Sequence, residues 1–205
     1  MKTIILASAS PRRKKLLEQI NLNFITAPQD IVETIDHQIE PNLFAVSTAR
    51  RKAEKAASSI ADALIIGSDT IVVHDDKVLG KPSDETEAFY MLSQLSDNSH
   101  LVITGVTLII TGPGGNILNQ TEFSEHTTVT FSKLNKKEIL EYIKTGSPMD
   151  KAGAYGIQDD WGSVFVSQIK GDYYNVVGFP LHKFYQTLKN FAPQYLPKAS
   201  ANIWQ

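Results

Sequence analysis

Near the start of the chain, Ser8-Ala9-Ser10-Pro11-Arg12-Arg13 sets two arginines immediately after a proline. Ser10 reads as a helix cap and Pro11 as a first-turn residue, which leaves backbone N–H groups facing the preceding loop. A cation in that first turn opposes the helix macrodipole and is disfavoured by roughly 0.3–1 kcal/mol. A bound phosphate would compensate, because amides, a serine hydroxyl and a guanidinium fork all donate to its oxygens. The stretch also reads as a pair of solvated arginines bridging to nearby carboxylates.

A carboxylate and two lysines could meet such an anion. Gly67-Ser68-Asp69-Thr70 follows the apolar run Ala63 to Ile66. That run predicts a strand ending at Gly67, with Asp69 in the crevice at its carboxyl end, where α/β proteins commonly bind ligands. Asp69 there suits a metal ligand or a base, and equally a turn or cap. Leu79-Gly80-Lys81-Pro82 puts a lysine in compact backbone, where it projects into a cleft or is simply solvated. Lys52 sits in a helix among Ala49, Ala53, Ala56 and Ala57, lining a pocket or snorkelling, with Arg50, Arg51 and Lys55 as solvated companions. Glu33 belongs to the aperiodic polar segment Asp30 to Glu40, and its sequence context does not set it apart from Asp30, Asp36 or Glu40.

Asp150 to Gln158 packs two glycines and two alanines into nine residues, which favours close approach of backbone to a ligand. Gln158 closes the segment with both a donor and an acceptor, as reading a base edge requires. A tight structural turn has the same composition. Gly171 to Pro180 is similarly loop-like, with aromatics that stack on a ligand or pack.

Other chemistries are disfavoured. None of the histidines, at 37, 74, 100, 126 and 182, stands in a zinc-ligand spacing with another, and neither G-x-x-x-x-G-K-[ST] nor G-x-G-x-x-G occurs. The chain has no cysteine, so disulfides and thiol nucleophiles are out and a reducing cytoplasm fits. A net charge of −2 provides no global field for nucleic acid or an anionic membrane, which also disfavours an RNA-binding module. The N-terminus turns polar by Ser8, unlike a signal peptide, and no segment approaches the ~20 apolar residues that cross a bilayer.

The elements that must hold these residues alternate. A strand over Thr3 to Ala7 leads to a helix over Pro11 to Ile20, then a helix over Asn42 to Ile60 and the strand at Ala63. Thr70 to Leu79 reads as a hairpin, Ser83 to Leu95 as a helix opened by Ser83, and Leu101 to Phe131 as a long hairpin broken at Gly112-Pro113-Gly114-Gly115. A helix over Leu134 to Lys144, a strand over Val164 to Ile169 and a helix from Pro180 to Phe191 complete the series. The pattern predicts an α/β fold, a mixed twisted sheet flanked by helices and arranged as two lobes around a cleft. The 205 residues read as one domain over 1–193 with a tail at 194–205.

Taken together, Ser8 to Arg13, Gly67 to Thr70, Leu79 to Pro82, Thr104-Gly105-Val106, Lys151 to Gln158 and Asn175 to Pro180 resemble the Maf family of nucleoside triphosphate pyrophosphatases. The matches run in order over roughly residues 3 to 190. The resemblance implies a fold related to inosine triphosphate pyrophosphatases, a nucleoside triphosphate substrate and a divalent cation, Mg²⁺ or Mn²⁺. It implies that Asp69 is the proton acceptor, that Ser8, Arg12, Arg13, Lys52 and Lys81 line the phosphate site, and that Glu33 joins Asp69 near the metal. Thr70 and Gln158 look like the branch acting on dTTP and UTP, whereas a branch acting on 7-methylguanosine triphosphate differs at both places. Asp159 stands where a glycine is usual, and Thr48 where a leucine is usual. A non-catalytic nucleotide-binding regulator of cell division is the rival reading, and a homodimer is left open.

Overall fold

The structure, a computed structural model, describes residues 2–31, 39–158 and 161–197. Its frame is three long strands rich in β-branched and apolar residues, β3 (Ala63–His74), β5 (Ser99–Thr111) and β6 (Ile117–Phe131), paired antiparallel in succession. β1 (Thr3–Leu6) lies parallel to the start of β3, from Thr3 opposite Ala63 to Leu6 opposite Ile66, and β2 (Ile25–Thr26) extends β1. β4 (Lys77–Leu79) folds back on the far end of β3, with Leu79 opposite Val72, and β7 (Val166–Lys170) flanks β6. The order is β2-β1-β3-β5-β6-β7, with β4 beside β3.

One consequence positions everything else. β1 covers the edge of β3 up to Ile66 and β4 covers it from Val72, so residues 67–71 pair with β5 on one side and with no strand on the other among the described residues. A window is left in the sheet.

The two faces of the sheet are covered differently. One face packs under α2 (Pro41–Ala57), whose Ala53, Ala56 and Ala57 meet Ile5, Ile65 and Ile109 while Phe44 and Ala45 meet Ile71 and Ile103. Small residues on both sides bring helix and sheet close: a Cβ at Gly67 would stand 2.2 Å from the Ala49 carbonyl oxygen, and one at Gly105 2.5 Å from that of Ala45. The other face carries two separate cores. Leu64 and Ile66 pack with α1 (Pro11–Gln19) and α7 (Leu181–Phe191) through Leu17, Phe184 and Leu188. Val72 and Val102 pack with α3 (Glu85–Leu95), α4 (Lys136–Lys144) and α5 (Gly162–Phe165) through Leu92, Tyr142 and Phe165. The expected two lobes are these two cores, and the window in β3 lies between them.

Several boundaries differ from the sequence reading. β3 does not end at Gly67: it continues to His74 in one ladder with β5, from Leu64 opposite Ile110 to Val73 opposite Leu101, because glycine at 67 admits α2 rather than breaking the strand. α3 is capped by Asp84, whose side chain accepts from the Glu87 N–H, while Ser83 donates from its N–H and its hydroxyl to the Glu87 carboxylate. Pro180 is the cap of α7 rather than its first turn, and the loop-like segment before it forms a short helix, α6 (Tyr173–Val177). Packing continues past residue 193, since Tyr195 is buried and Leu196 packs on the same core. Among the described residues no helix is long and apolar enough to cross a membrane.

Candidate active site

Asp69 stands in the middle of a strand, not in the loop that the sequence suggested. Side chains alternate along β3, so Asp69 shares the face of Gly67 and Ile71, toward α2. The close approach of α2 brings Lys52, one turn beyond Ala49, to within 2.7 Å, Nζ to Asp69 Oδ1. Lys52 is 7% exposed and Asp69 6%. Lys52 therefore enters the site rather than snorkelling outward. Removing two charges from water costs several kcal/mol per ion, and a packed apolar pair is often as stable, on the order of 1–4 kcal/mol better. Such a pair at the edge of a cleft points to chemistry rather than stability.

Thr70 points the opposite way and meets Arg13. The Arg13 guanidinium donates to Thr70 Oγ1 at 3.0 Å, to Ser8 Oγ at 3.1 Å and to the Gly178 carbonyl at 3.0 Å. Thr70 Oγ1 also lies 3.0 Å from Thr104 Oγ1 across the β3–β5 ladder. Arg13 is thus buried and ties the cap loop of α1 to the window in β3. Ser10 caps α1 as its sequence indicates, accepting from the Arg13 N–H at 3.4 Å with Pro11 in the first turn.

Arg12 takes the bridging alternative. Its Nη1 donates to Asp150 Oδ2 at 2.8 Å and its Nη2 to the Asp150 carbonyl at 3.3 Å, while Lys151 Nζ holds the other carboxylate oxygen at 2.7 Å. Burial pushes the Asp150 carboxyl up, but the Lys151 and Arg12 donors outweigh it and hold the group below the usual carboxylate range. Of the companions expected to be solvated, Arg50 forms an ion pair with Glu122 at 2.5 Å and Lys55 donates to the Asp30 carbonyl.

These residues meet in one cleft of about 630 Å³. Ser8, Arg12, Arg13, Lys52, Asp69, Thr70, Lys81 and Gln158 all line it, with Lys81 and Gln158 exposed. That volume is within the ~300–1,000 Å³ of small-molecule sites. Glu33 lies outside the described residues. The cleft also takes in Asp150, Lys151, Phe44 and Tyr155, to which sequence reasoning gave no individual role. Tyr155 and Lys151 stood inside the Gly-Ala segment, which was a signal for the segment only; Phe44 carried none, since it reads as a core residue of α2.

A mixed α/β protein whose sheet opens at one edge onto a cleft lined by cations and a buried carboxylate defines a class: a binder of polyanionic small molecules. The chain belongs to the Maf family. The description "Maf-like protein" matches residues 3–191. It is 50% identical over 190 residues to a dTTP/UTP pyrophosphatase of Halalkalibacterium halodurans, covering 92% of this chain and 96% of that one. A dTTP/UTP pyrophosphatase of Geobacillus sp. is 47% identical over 189 residues, with 92% and 98% covered. Among solved structures, a HAM1 protein from Coxiella burnetii is similar at a TM-score of 0.47 and 17% identity, over 66% of this chain and 76% of that one.

Proposed function

We infer that this chain is a nucleoside triphosphate pyrophosphatase that hydrolyses dTTP and UTP to the nucleoside monophosphate and pyrophosphate. The observation that carries the reading is the buried Lys52–Asp69 pair, at 2.7 Å, in a cleft that also holds Arg12, Arg13 and Lys81. Relatives covered over nearly their whole length bear the name dTTP/UTP pyrophosphatase, which supports the choice of substrate.

In this mechanism Asp69 orients a water and accepts its proton as the water oxygen bonds to the α-phosphorus. The bond from that phosphorus to the oxygen bridging to the β-phosphate breaks, and pyrophosphate leaves. Lys52 holds the Asp69 carboxylate and supplies positive charge beside the reacting centre, while Arg12, Arg13, Lys81 and the Ser8 hydroxyl bind phosphate oxygens. Most of the acceleration comes from placing water and phosphate together, and Arg12 must exchange its Asp150 bridge for phosphate on binding. Thr70 and Gln158 face the pyrimidine, where the amide pairs with a carbonyl and an N–H of the imide edge shared by dTTP and UTP.

Among the described residues no three His, Asp or Glu gather as a metal cage. Magnesium asks for less, one or two carboxylates with substrate phosphates and water, and the Asp69 carboxylate is such a donor inside the cleft. Asp69 would hold the cation, with Glu33 as the second candidate. When bound, a divalent cation neutralises phosphate charge and fixes phosphate orientation.

The test is a panel of dTTP, UTP, CTP, ATP, GTP and 7-methylguanosine triphosphate with Mg²⁺, reading released pyrophosphate. The expected result is a kcat/KM for dTTP and UTP at least ~10-fold above the purine nucleotides, since a site built for the imide leaves polar groups unpaired against a purine. Preference for 7-methylguanosine triphosphate, or no pyrophosphate from any of them, would overturn the reading.

A further inference from the structure

Behind the base end of the cleft lies a buried polar contact that the chemistry of Asp69 does not use. The chain turns through two left-handed residues there, Gly153 (φ 68°) and Ala154 (φ 60°). Alanine resists that conformation, and it persists only where the surroundings over-determine it. Three anchors do so. The Gly153 N–H donates to the Gly80 carbonyl at 3.0 Å, the Gly156 N–H donates to the Tyr142 hydroxyl at 3.2 Å, and a hydrogen bond of 2.7 Å joins the Tyr155 hydroxyl to His100 Nε2.

The third anchor differs in kind from the other two. His100 is the second residue of β5, is 3% exposed, and meets Phe131 and Tyr155 edge to face, with ring centroids 5.1 and 5.2 Å away. Burial, with the neighbouring His74, pushes the imidazole down to about 3, and burial pushes the Tyr155 hydroxyl up, so both groups are uncharged around neutral pH. His100 Nδ1 is buried with no hydrogen-bond partner among the described residues. A phenylalanine would fill this aromatic cluster without that cost, so the bond to Tyr155 is what the imidazole contributes. Tyr155 in turn lines the cleft, three residues before Gln158, whereas His100 does not line it.

We propose that His100 is a positioning residue for base selection, holding Gln158 at the spacing of a pyrimidine through Tyr155. The proposal rests on the reading that Gln158 faces the base. His100 touches no substrate; it braces a strained loop from behind.

The experiment compares His100→Phe, Tyr155→Phe, the double variant and His100→Gln, whose amide nitrogen takes the place of Nε2. Each of the first two raises the dTTP KM about 3- to 10-fold with kcat within about twofold, and narrows the dTTP-to-GTP ratio of kcat/KM. The double variant is no worse than either single one, because both remove the same bond, and His100→Gln recovers most of the loss. An unchanged dTTP KM and ratio, or single effects that multiply in the double variant, would overturn the proposal. Should His100→Phe not fold, Tyr155→Phe decides by the same KM and ratio, since it removes only a hydroxyl. Gln158→Ala is assayed in parallel. If it narrows the ratio while the His100 and Tyr155 variants do not, the positioning role alone fails. If it leaves the ratio unchanged, the base reading fails and the proposal with it, even where the His100 and Tyr155 variants share a KM effect.

Discussion

The two ends of the cleft are built from different material. At the Asp69 end the side chains stand on regular elements: Asp69 within the β3–β5 ladder, Lys52 on α2, and the two brought together by the bare backbone of Gly67 and Gly105. At the Gln158 end the chain runs through left-handed residues and is held by single hydrogen bonds to Gly80, Tyr142 and His100. The first arrangement changes only if the sheet and helix move; the second changes with one loop. On the proposed roles, reaction type rests on the frame and base choice on this segment, which is itself anchored in the two cores through Tyr155 and Ile157.

The comparison can be broken at either end. Asp69→Asn keeps size and removes the charge, and turnover falls at least ~100-fold for every triphosphate, measured by released pyrophosphate; near-normal turnover would remove Asp69 from the chemistry. Gly67→Ala drives a methyl group into the Ala49 carbonyl, so α2 must shift. A loss of about 1–3 kcal/mol in urea unfolding is expected, with reduced kcat, because Lys52 moves with the helix. Unchanged stability and activity would show that the close contact does not set the Lys52–Asp69 distance. Lys81→Ala raises KM about tenfold for all triphosphates alike, as loss of one charge-assisted phosphate contact does. A selective effect on one base would move Lys81 out of the phosphate group. Gln158→Ala has the smallest effect, a several-fold narrowing of the dTTP-to-GTP ratio of kcat/KM at little cost to kcat. An unchanged ratio makes Gln158 a turn residue.

What was legible in the sequence follows the same division. That the two arginines in the first turn of α1 have specific partners could be read, because residue type and position conflict there with local propensity. The continuation of β3 through Gly67 could not, since a glycine that admits a helix and a glycine that ends a strand look identical without the partner. Nor could the role of Arg13, whose acceptors Thr70 and Gly178 lie far along the chain. Asp150 was visible only as the first residue of a small-residue segment; its clamp between Arg12 and Lys151 depends on bringing α1 to that segment. Tertiary contacts of that kind leave no periodicity to read.

The most direct measurement is the fate of solvent oxygen when the enzyme, with Mg²⁺, hydrolyses dTTP in ¹⁸O-labelled water. Attack at the α-phosphorus predicts dTMP carrying the label, with unlabelled pyrophosphate. Label in the pyrophosphate, or dTDP and inorganic phosphate as the main products, would contradict the account.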